Sequence, residues 1–364
     1  MANRIKIACV GDIMCGDSFY AMGHGVASSL DKYGNRFLPS EIVDILSGHD
    51  VVLGNVECPL SDKRRKNYVL RSLHMRGRPE SAGYLAGWGL TVANVANNHI
   101  LEHGHDVAID TVYNLQEVGV ITIGAGKDKL FRNGLQIEEI TCGNHVLAFI
   151  GICLRREKYA FNGGSEIEEI LETIKTLNRH EKIVCISIHW GDEFMDRPSI
   201  RQKQIAQMMT EMGAKLIIGH HPHVVQGIEN INGGFVAYSL GNFMFDSFLS
   251  STKWSLILSI TMSGKEIIQW ECIPIEKDNE HRPQIATGDR RDRLEREIKH
   301  RCDLLVPKIS DDNYKEQYKS DIISQDVNAR YKLYFELLKK FLLFNPVYWP
   351  QVLWRPIQRR MGKW

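Results

Sequence analysis

Short apolar runs of strand length recur along the chain, and almost every one gives way to a cluster of polar residues. Residues 5–10 alternate and then run apolar, as a buried first strand does, before Gly11-Asp12 closes the run. Residues 39–48 carry a helix start at Ser40 and a glycine stop, and lead into a second strand at 51–54. Helical patterns at 81–88, 104–117, 166–180 and 200–212 then alternate with strand-like runs at 90–96, 120–123, 135–140, 146–153, 183–188 and a run ending at Gly219. Three further runs, 235–240, 254–262 and 266–275, follow without intervening helices and read as successive antiparallel strands. This order predicts an α/β domain of two sheets packed face to face with helices outside. Beyond residue 278 come polar helical patterns at 290–305 and 314–343, then a segment rich in Trp, Pro and Arg. The chain therefore divides into a body, 1–278, and a helical C-terminal extension, 279–364.

The polar clusters matter because of where they fall. Sheets of this class place ligands at the carboxyl ends of their strands. Asp12, Glu57, Asn98 with His99, His189, and His221 with His223 each stand just past an apolar run. The stretch 215–226, KLIIGHHPHVVQ, is the densest. Pro222 biases His221 toward extended backbone, in which residues two apart point the same way, so His221 and His223 are expected to face one target. Each polar residue taken singly could cap a turn. Repeated after successive strands, oxygen and imidazole donors without thiolates suit Mn²⁺, Fe or Zn²⁺ in a reactive site better than structural zinc, and suffice for two ions sharing one carboxylate. Two such ions, roughly 4 Å apart, acidify water and clamp both oxygens of an in-line displacement, which is hydrolase chemistry. Gly124 and Gly126 lack the spacing of a nucleotide-binding loop and read as a turn.

Composition narrows this picture. Lys+Arg 45 against Asp+Glu 44 gives a net charge of +1, which does not suggest a nucleic-acid partner. The eight cysteines are scattered without paired short spacings, and no apolar window reaches signal-peptide or membrane-span length, which together read as a protein of the reducing cytoplasm. Residues 63–78 are strongly basic, either a solvated loop or a rim that receives an anionic substrate. The tail 337–364 mixes aromatic residues with Lys339, Lys340, Arg355, Arg359, Arg360 and Lys363 and holds no acidic residue. That mixture suits peripheral contact with the inner face of an anionic membrane. Alternatively, the aromatics dock on the body along an extended path enforced by Pro346, Pro350 and Pro356.

The ordered motifs GDIM (11–14), NVECP (55–59), NNH (97–99), HWG (189–191), GHHPHVVQ (219–226) and YSLGNF (238–243) resemble those of the bacterial CapA-type capsule (poly-γ-glutamate) synthesis proteins. That family falls within the calcineurin-like metallophosphatase superfamily. The resemblance covers roughly residues 5 to 246 and implies a four-layer αββα sandwich with a dinuclear centre between the sheets. It further implies that Asp12 and His223 bind one ion, that Asn98, His189 and His221 bind the other, and that Glu57 bridges them. His99 would be the acid that protonates the leaving group, with Glu102 orienting it, and His220 would stand outside the ligand set. Met14 occupies the position where the superfamily carries a histidine, and Asp17 one where this branch often carries arginine. The implied activity is metal-dependent hydrolysis of a phosphoester or related bond in an anionic small molecule or polymer. The alternative is a non-hydrolytic, metal-binding component of capsule or poly-γ-glutamate assembly.

Overall fold

The computed structural model describes residues 4–158, 160–163, 166–305 and 312–360, with side chains described as far as residue 354. In chain order the first elements are β1 (Arg4–Ile13), α1 (Val26–Tyr33), α2 (Ser40–Ser47), β2 (Val51–Val56), α3 (Leu70–Leu73), α4 (Ser81–Gly87), β3 (Val92–Asn94), α5 (His105–Glu117) and β4 (Ile121–Ile123). Next come β5 (Glu138–Cys142), β6 (His145–Cys153), α6 (Ile167–Arg179), β7 (Ile183–His189), α7 (Ile200–Glu211), β8 (Ala214–His220), β9 (Ile228–Ile231) and β10 (Gly234–Ala237). The chain then runs through β11 (Asn242–Met244), β12 (Trp254–Ser263), β13 (Glu266–Lys277), β14 (Pro283–Ile285), α8 (Gly288–Asp303), α9 (Asp312–Lys340) and α10 (Trp349–Arg360).

The strands form two sheets. One has the order β14-β13-β12-β1-β2-β3-β4 with β11 added beside β1, and the other the order β5-β6-β7-β8-β10-β9. The alternation of side chains along each strand divides the apolar residues among three cores. Ile5, Ile7 and Cys9 of β1, Leu147 and Phe149 of β6, and Leu216 and Ile218 of β8 meet between the sheets. Ala8 and Val10 turn instead to the layer of α1, α2, α4 and α5, joining Leu30, Ile42, Leu85 and Val112. Ile150 and Ile186 turn to α6 and α7, joining Ile174 and Met209. The result is the expected four-layer αββα sandwich.

Three details depart from the sequence reading. The run at 235–240 meets 254–262 only at its end, where the Leu256 N–H donates to the Leu240 carbonyl: β10 lies parallel to β8 and antiparallel to β9 in the smaller sheet, while β12 and β13 belong to the larger one. An apolar run carries no mark of which sheet receives it. The division at 278 is crossed by β14, which adds to β13, and by Ala286 and Leu294, which enter the core between the sheets. The tail is not extended: α10 accommodates Pro350 in its first turn, where a missing N–H costs little. Among the described tail residues, Leu333, Leu337, Phe341, Phe344, Tyr348 and Trp349 dock with Phe19, Tyr20, Leu70 and Leu73 of the body. Lys363 and Trp364, and the side chains of Arg355, Arg359 and Arg360, lie outside the described residues.

Asp17 is part of a buried support for the loop after β1. Its carboxylate accepts from the Gly23 and Ser28 main-chain N–H groups and from the Ser28 hydroxyl, while Asp246 accepts from the Ser18 and Val26 N–H groups. Gly25 separates the two acids so closely that a Cβ there would lie 2.6 Å from Asp17 Oδ1 and 2.7 Å from Asp246 Oδ1. Burial, and for Asp17 also the neighbouring Asp246 charge, pushes Asp17 up to about 7 and Asp246 up to about 6. Because both are raised above the unfolded value of about 3.9, the folded state binds more protons in this interval. The pair's stabilisation is complete below pH ~4 and is lost as pH rises through about 7. Urea denaturation of Asp17→Asn should therefore show a shallower fall in midpoint between these pH values than the wild type; parallel profiles would refute the pair's contribution.

Candidate metal centre

The site forms where strand ends of the two sheets face each other, and a bulge in β1 brings its first carboxylate there. Cys9 pairs with Leu53 and Asp12 with Asn55, so β1 spends three residues where β2 spends two. Before the extra residue the odd-numbered side chains of β1 face the other sheet; after it Asp12 does. Gly11 is required within this bulge, because a Cβ would lie 1.9 Å from the Gly241 carbonyl oxygen, which itself accepts from the Asp12 N–H. On the same inward register β2 delivers Asn55 and then Glu57, and β7 delivers His189.

Glu57 is the centre of the cluster. Its Oε1 lies 3.6 Å from His189 Nε2, 3.8 Å from His223 Nε2 and 4.0 Å from His99 Nε2. These distances are too long for hydrogen bonds, and Oε1 takes none among the described residues although it is fully buried. His189 Nε2 lies 2.9 Å from Asn98 Oδ1, and Asn55 Nδ2 bonds Asp12 Oδ1 at 2.9 Å. His223 Nδ1 stands 2.9 Å from Asn242 Oδ1; a proton held there leaves Nε2 free to act as a ligand. Ligand atoms within 4.8 Å of one another define two groups, Asp12 with Glu57 and His223, and Glu57 with His189 and His221. Glu57 is common to both.

His221 reaches the cluster by a different backbone from the extended one expected. Its φ is +93° and that of His223 is +60°, both in the region that L-residues avoid. Pro222 does keep His221 from helical geometry, yet the convergence of the rings, 5.6 Å apart, comes from a left-handed turn. Strain of this kind costs on the order of 1–3 kcal/mol per residue and persists where surrounding structure enforces it. Here Gly219 provides the anchor. A Cβ at that position would stand 2.0 Å from the Tyr238 carbonyl oxygen, to which the Trp190 indole N–H donates at 3.0 Å.

Burial dominates the electrostatics. It pushes the Glu57 carboxyl well up, reinforced by the Asp12 charge, and holds His189 and His221 well below the usual imidazole range. Burial opposes ionisation of Asp12 too, but hydrogen bonds and charge from His220 and His223 outweigh it and bring this carboxyl well below its ordinary value. Two buried carboxylates, neutral imidazoles and orphaned atoms at Glu57 Oε1 and at both nitrogens of His221 fit divalent cations, because a buried charge without a partner is costly.

His99 and Glu102 sit at the rim. His99 Nδ1 lies 2.9 Å from Glu102 Oε2, and its ring is the more accessible of the pair. Burial alone would raise the Glu102 carboxyl, but His74 and His99 bring it down to about 2. His74 carries no signal in the sequence, and Asn55 and Asn242 stand inside the motifs NVECP and YSLGNF; only the fold shows what the three contact. His220, expected outside the ligand set, is buried with Nδ1 3.2 Å from Asp12 Oδ1. Met14 lies fully buried in the apolar core of the helix layer. The basic stretch is largely paired internally: Lys63 with Asp110, Arg64 with Asp106, Arg65 with Asp62 and Arg78 with Asp31.

Two facing sheets with buried carboxylates and imidazoles at their strand ends define the class, an αββα sandwich with a cluster compatible with metal binding. The sequence profile described as "Bacterial capsule synthesis protein PGA_cap" matches residues 6–247, and the chain belongs to this family. It is 28% identical over 284 residues to the capsule biosynthesis protein CapA of Bacillus anthracis, covering 75% of this chain and 67% of the relative. To the PGA biosynthesis protein CapA of Bacillus subtilis (strain 168) it is 30% identical over 281 residues, covering 75% and 71%. A solved structure described as a novel phosphatase, from Mycoplasma pneumoniae, superposes with a TM-score of 0.46 at 14% identity over 76% of this chain and 95% of that one.

If Glu57 is shared between two ions, Glu57→Gln should lower the affinity for Mn²⁺ at both sites by on the order of 100-fold or more, read by calorimetric titration of the metal-stripped protein. Weakening of one site with the other unchanged would show that Glu57 is not a bridge.

Proposed function

We propose that the chain is a metal-dependent hydrolase of a phosphoester or related bond, acting on an anionic small molecule or polymer of capsule or poly-γ-glutamate metabolism. The observation that carries this reading is the unpartnered Glu57 Oε1 at the meeting point of three imidazoles. Asp12, Glu57 and His223 would hold one divalent ion, and Glu57, Asn98, His189 and His221 the other, with Mn²⁺, Fe or Zn²⁺ as candidates. When bound, such ions supply Lewis acidity and the positive charge that a displacement at phosphorus requires. The protein's own part is orientation and proton transfer. Asn242 fixes the ring of His223, Asn55 fixes Asp12, and Glu102 holds His99 through Nδ1. That bond leaves His99 Nε2, on the accessible side of Glu57, to deliver a proton to the leaving oxygen.

A second reading rests on the biosynthetic names of the two Bacillus relatives: the cluster binds metal and an anionic polymer during assembly without hydrolysing it. Metal retention without turnover of any phosphoester or amide would favour this alternative.

The C-terminal helices add a proposed location. While one face docks on the body, Ile323, Val327, Tyr331, Phe335 and Leu338 are exposed at helical spacing along the other. They form an apolar stripe about 22 Å long. No helix among the described residues is long and apolar enough to cross a membrane. A stripe lying beside a tail with six basic and no acidic residues instead complements the headgroup region of an anionic bilayer at the cytoplasmic face.

Two measurements test these readings. With metal content verified, His99→Gln should lower kcat on an aryl phosphate by about 10²–10⁴-fold, and His221→Ala should lose both metal and turnover; unchanged kcat in His99→Gln would remove its role. In co-sedimentation with phosphatidylglycerol vesicles at low salt, the triple variant Tyr331→Glu, Phe335→Glu and Leu338→Glu should stay in the supernatant while the wild type pellets. Equal recovery of both in the supernatant would leave the stripe without this partner.

A further inference from the structure

At the seam between the body and α9 lies a cavity of about 280 Å³. Its nitrogen-bearing lining comes from separate elements: Lys277 ends β13, His281 sits in the turn before β14, Lys253 precedes β12 and Lys340 ends α9. Lys277 is buried, and its ammonium donates to two main-chain carbonyls, Asn242 at 3.0 Å and Thr252 at 2.8 Å. Among the described residues, none of Lys253, Lys277 and Lys340 has a carboxylate oxygen within 4.0 Å.

Asp278 and Glu336 also line the cavity, and these acids and the neighbouring Asp246 are already engaged. Asp278 accepts from the main-chain N–H groups of Glu280 and Arg282, Glu336 pairs with Lys339, and Asp246 takes the N–H groups of Ser18 and Val26. Burial and the surrounding lysines hold His281 down to about 3, so this ring adds a neutral donor. Burial likewise brings Lys277 down to about 7. A buried ammonium without a paired charge is costly, and docking α9 brings another cation to the same place. An anion in the cavity offsets both costs at once.

We propose that this cavity binds a phosphate-type oxyanion, held by Lys253, Lys277 and Lys340, and that the bound anion fastens the C-terminal helix to the body. The volume suits a phosphate group, and lysine serves such groups as a mobile point charge. Two sources share this chemistry, a soluble phosphate or phosphomonoester and the phosphate of a lipid headgroup next to the apolar stripe. The inference is independent of catalysis, since none of these lysines belongs to the metal cluster. Lys277 nevertheless connects the two places, because the Asn242 whose carbonyl it holds also positions His223.

The full-length protein should be titrated with inorganic phosphate at constant ionic strength, using Glu57→Gln to separate any phosphate bound at the metal cluster. Binding should persist in Glu57→Gln, weaken about tenfold or more in the double variant Lys253→Ala and Lys340→Ala, and vanish in Lys277→Met. Because Lys277→Met removes two internal hydrogen bonds, the double variant, checked for native circular dichroism, is the deciding one. Unchanged affinity in that folded variant, or phosphate binding lost only in Glu57→Gln, would overturn the proposal. Competition by phosphatidylcholine vesicles containing phosphatidic acid, but not by phosphatidylcholine alone, would support the site with a lipid headgroup as its source. Binding of phosphate unaffected by either vesicle would support it with a soluble source.

Discussion

The buried cluster of carboxylates and imidazoles depends on one extra residue in β1. In a pleated strand the side-chain direction is fixed by register, so a carboxylate at a strand end faces either the partner sheet or the covering helices. Continued without interruption, the register that sends Ile5, Ile7 and Cys9 toward the other sheet would send Asp12 into the helix layer with Ala8 and Val10. The bulge between Cys9 and Asp12 reverses that assignment and sets Asp12 opposite Asn55 on the face that also carries Glu57. One inserted residue thereby converts a turn-capping aspartate into part of a site between two sheets.

The glycines of the motifs serve the same closure. Gly11 of β1 runs so close to the Gly241 carbonyl that no side chain fits there, and Gly241, with a φ of +72°, itself faces the Trp254 carbonyl oxygen at 3.0 Å from where a Cβ would stand. Gly219 plays the corresponding part in the smaller sheet, where β8 runs against the Tyr238 carbonyl. These contacts hold rigid the two ends from which the left-handed turn of His221 and His223 departs. The strain of that turn is sustained by the packing on both sides of it, and the coordination of a cation would offset it further.

The strand ends were legible because a buried strand followed by a polar pair is a local pattern, and Asp12, Glu57, Asn98, His189, His221 and His223 all announce themselves in that way. Partnership was not legible. The run containing Phe235 has the same apolar character whether it joins the larger or the smaller sheet, and only the helix α7 and strand β8 packed before it decide the matter. Asn55 and Asn242 stand inside the motifs, but their roles, like that of His74, lie in contacts with residues 43, 19 and 28 positions away along the chain. The path of the tail was misread for a simpler reason. Pro346 and Pro350 fall in the first turns of their helical segments, where a proline costs little, and α10 continues through Pro356 in its interior against the usual preference.

The two halves of the cluster are unequal, and the inequality bears on chemistry. Glu57 aside, Asp12 is grouped with His223 alone; His220 Nδ1 lies 3.2 Å from Asp12 Oδ1 but outside that group, and Met14 is buried in the helix-side core. The other half gathers Asn98, His189 and His221. An ion bound beside Asp12 and His223 would therefore keep more of its coordination positions for solvent or substrate, as catalytic sites do, while one beside His189 and His221 would be more fully enclosed by protein. His99 approaches Glu57 from the accessible rim, so the proposed proton donor and the carboxylate common to both groups meet at the same opening. On the proposed hydrolytic reading, reactivity would be concentrated where the protein supplies fewest ligands, with Glu57 common to both halves.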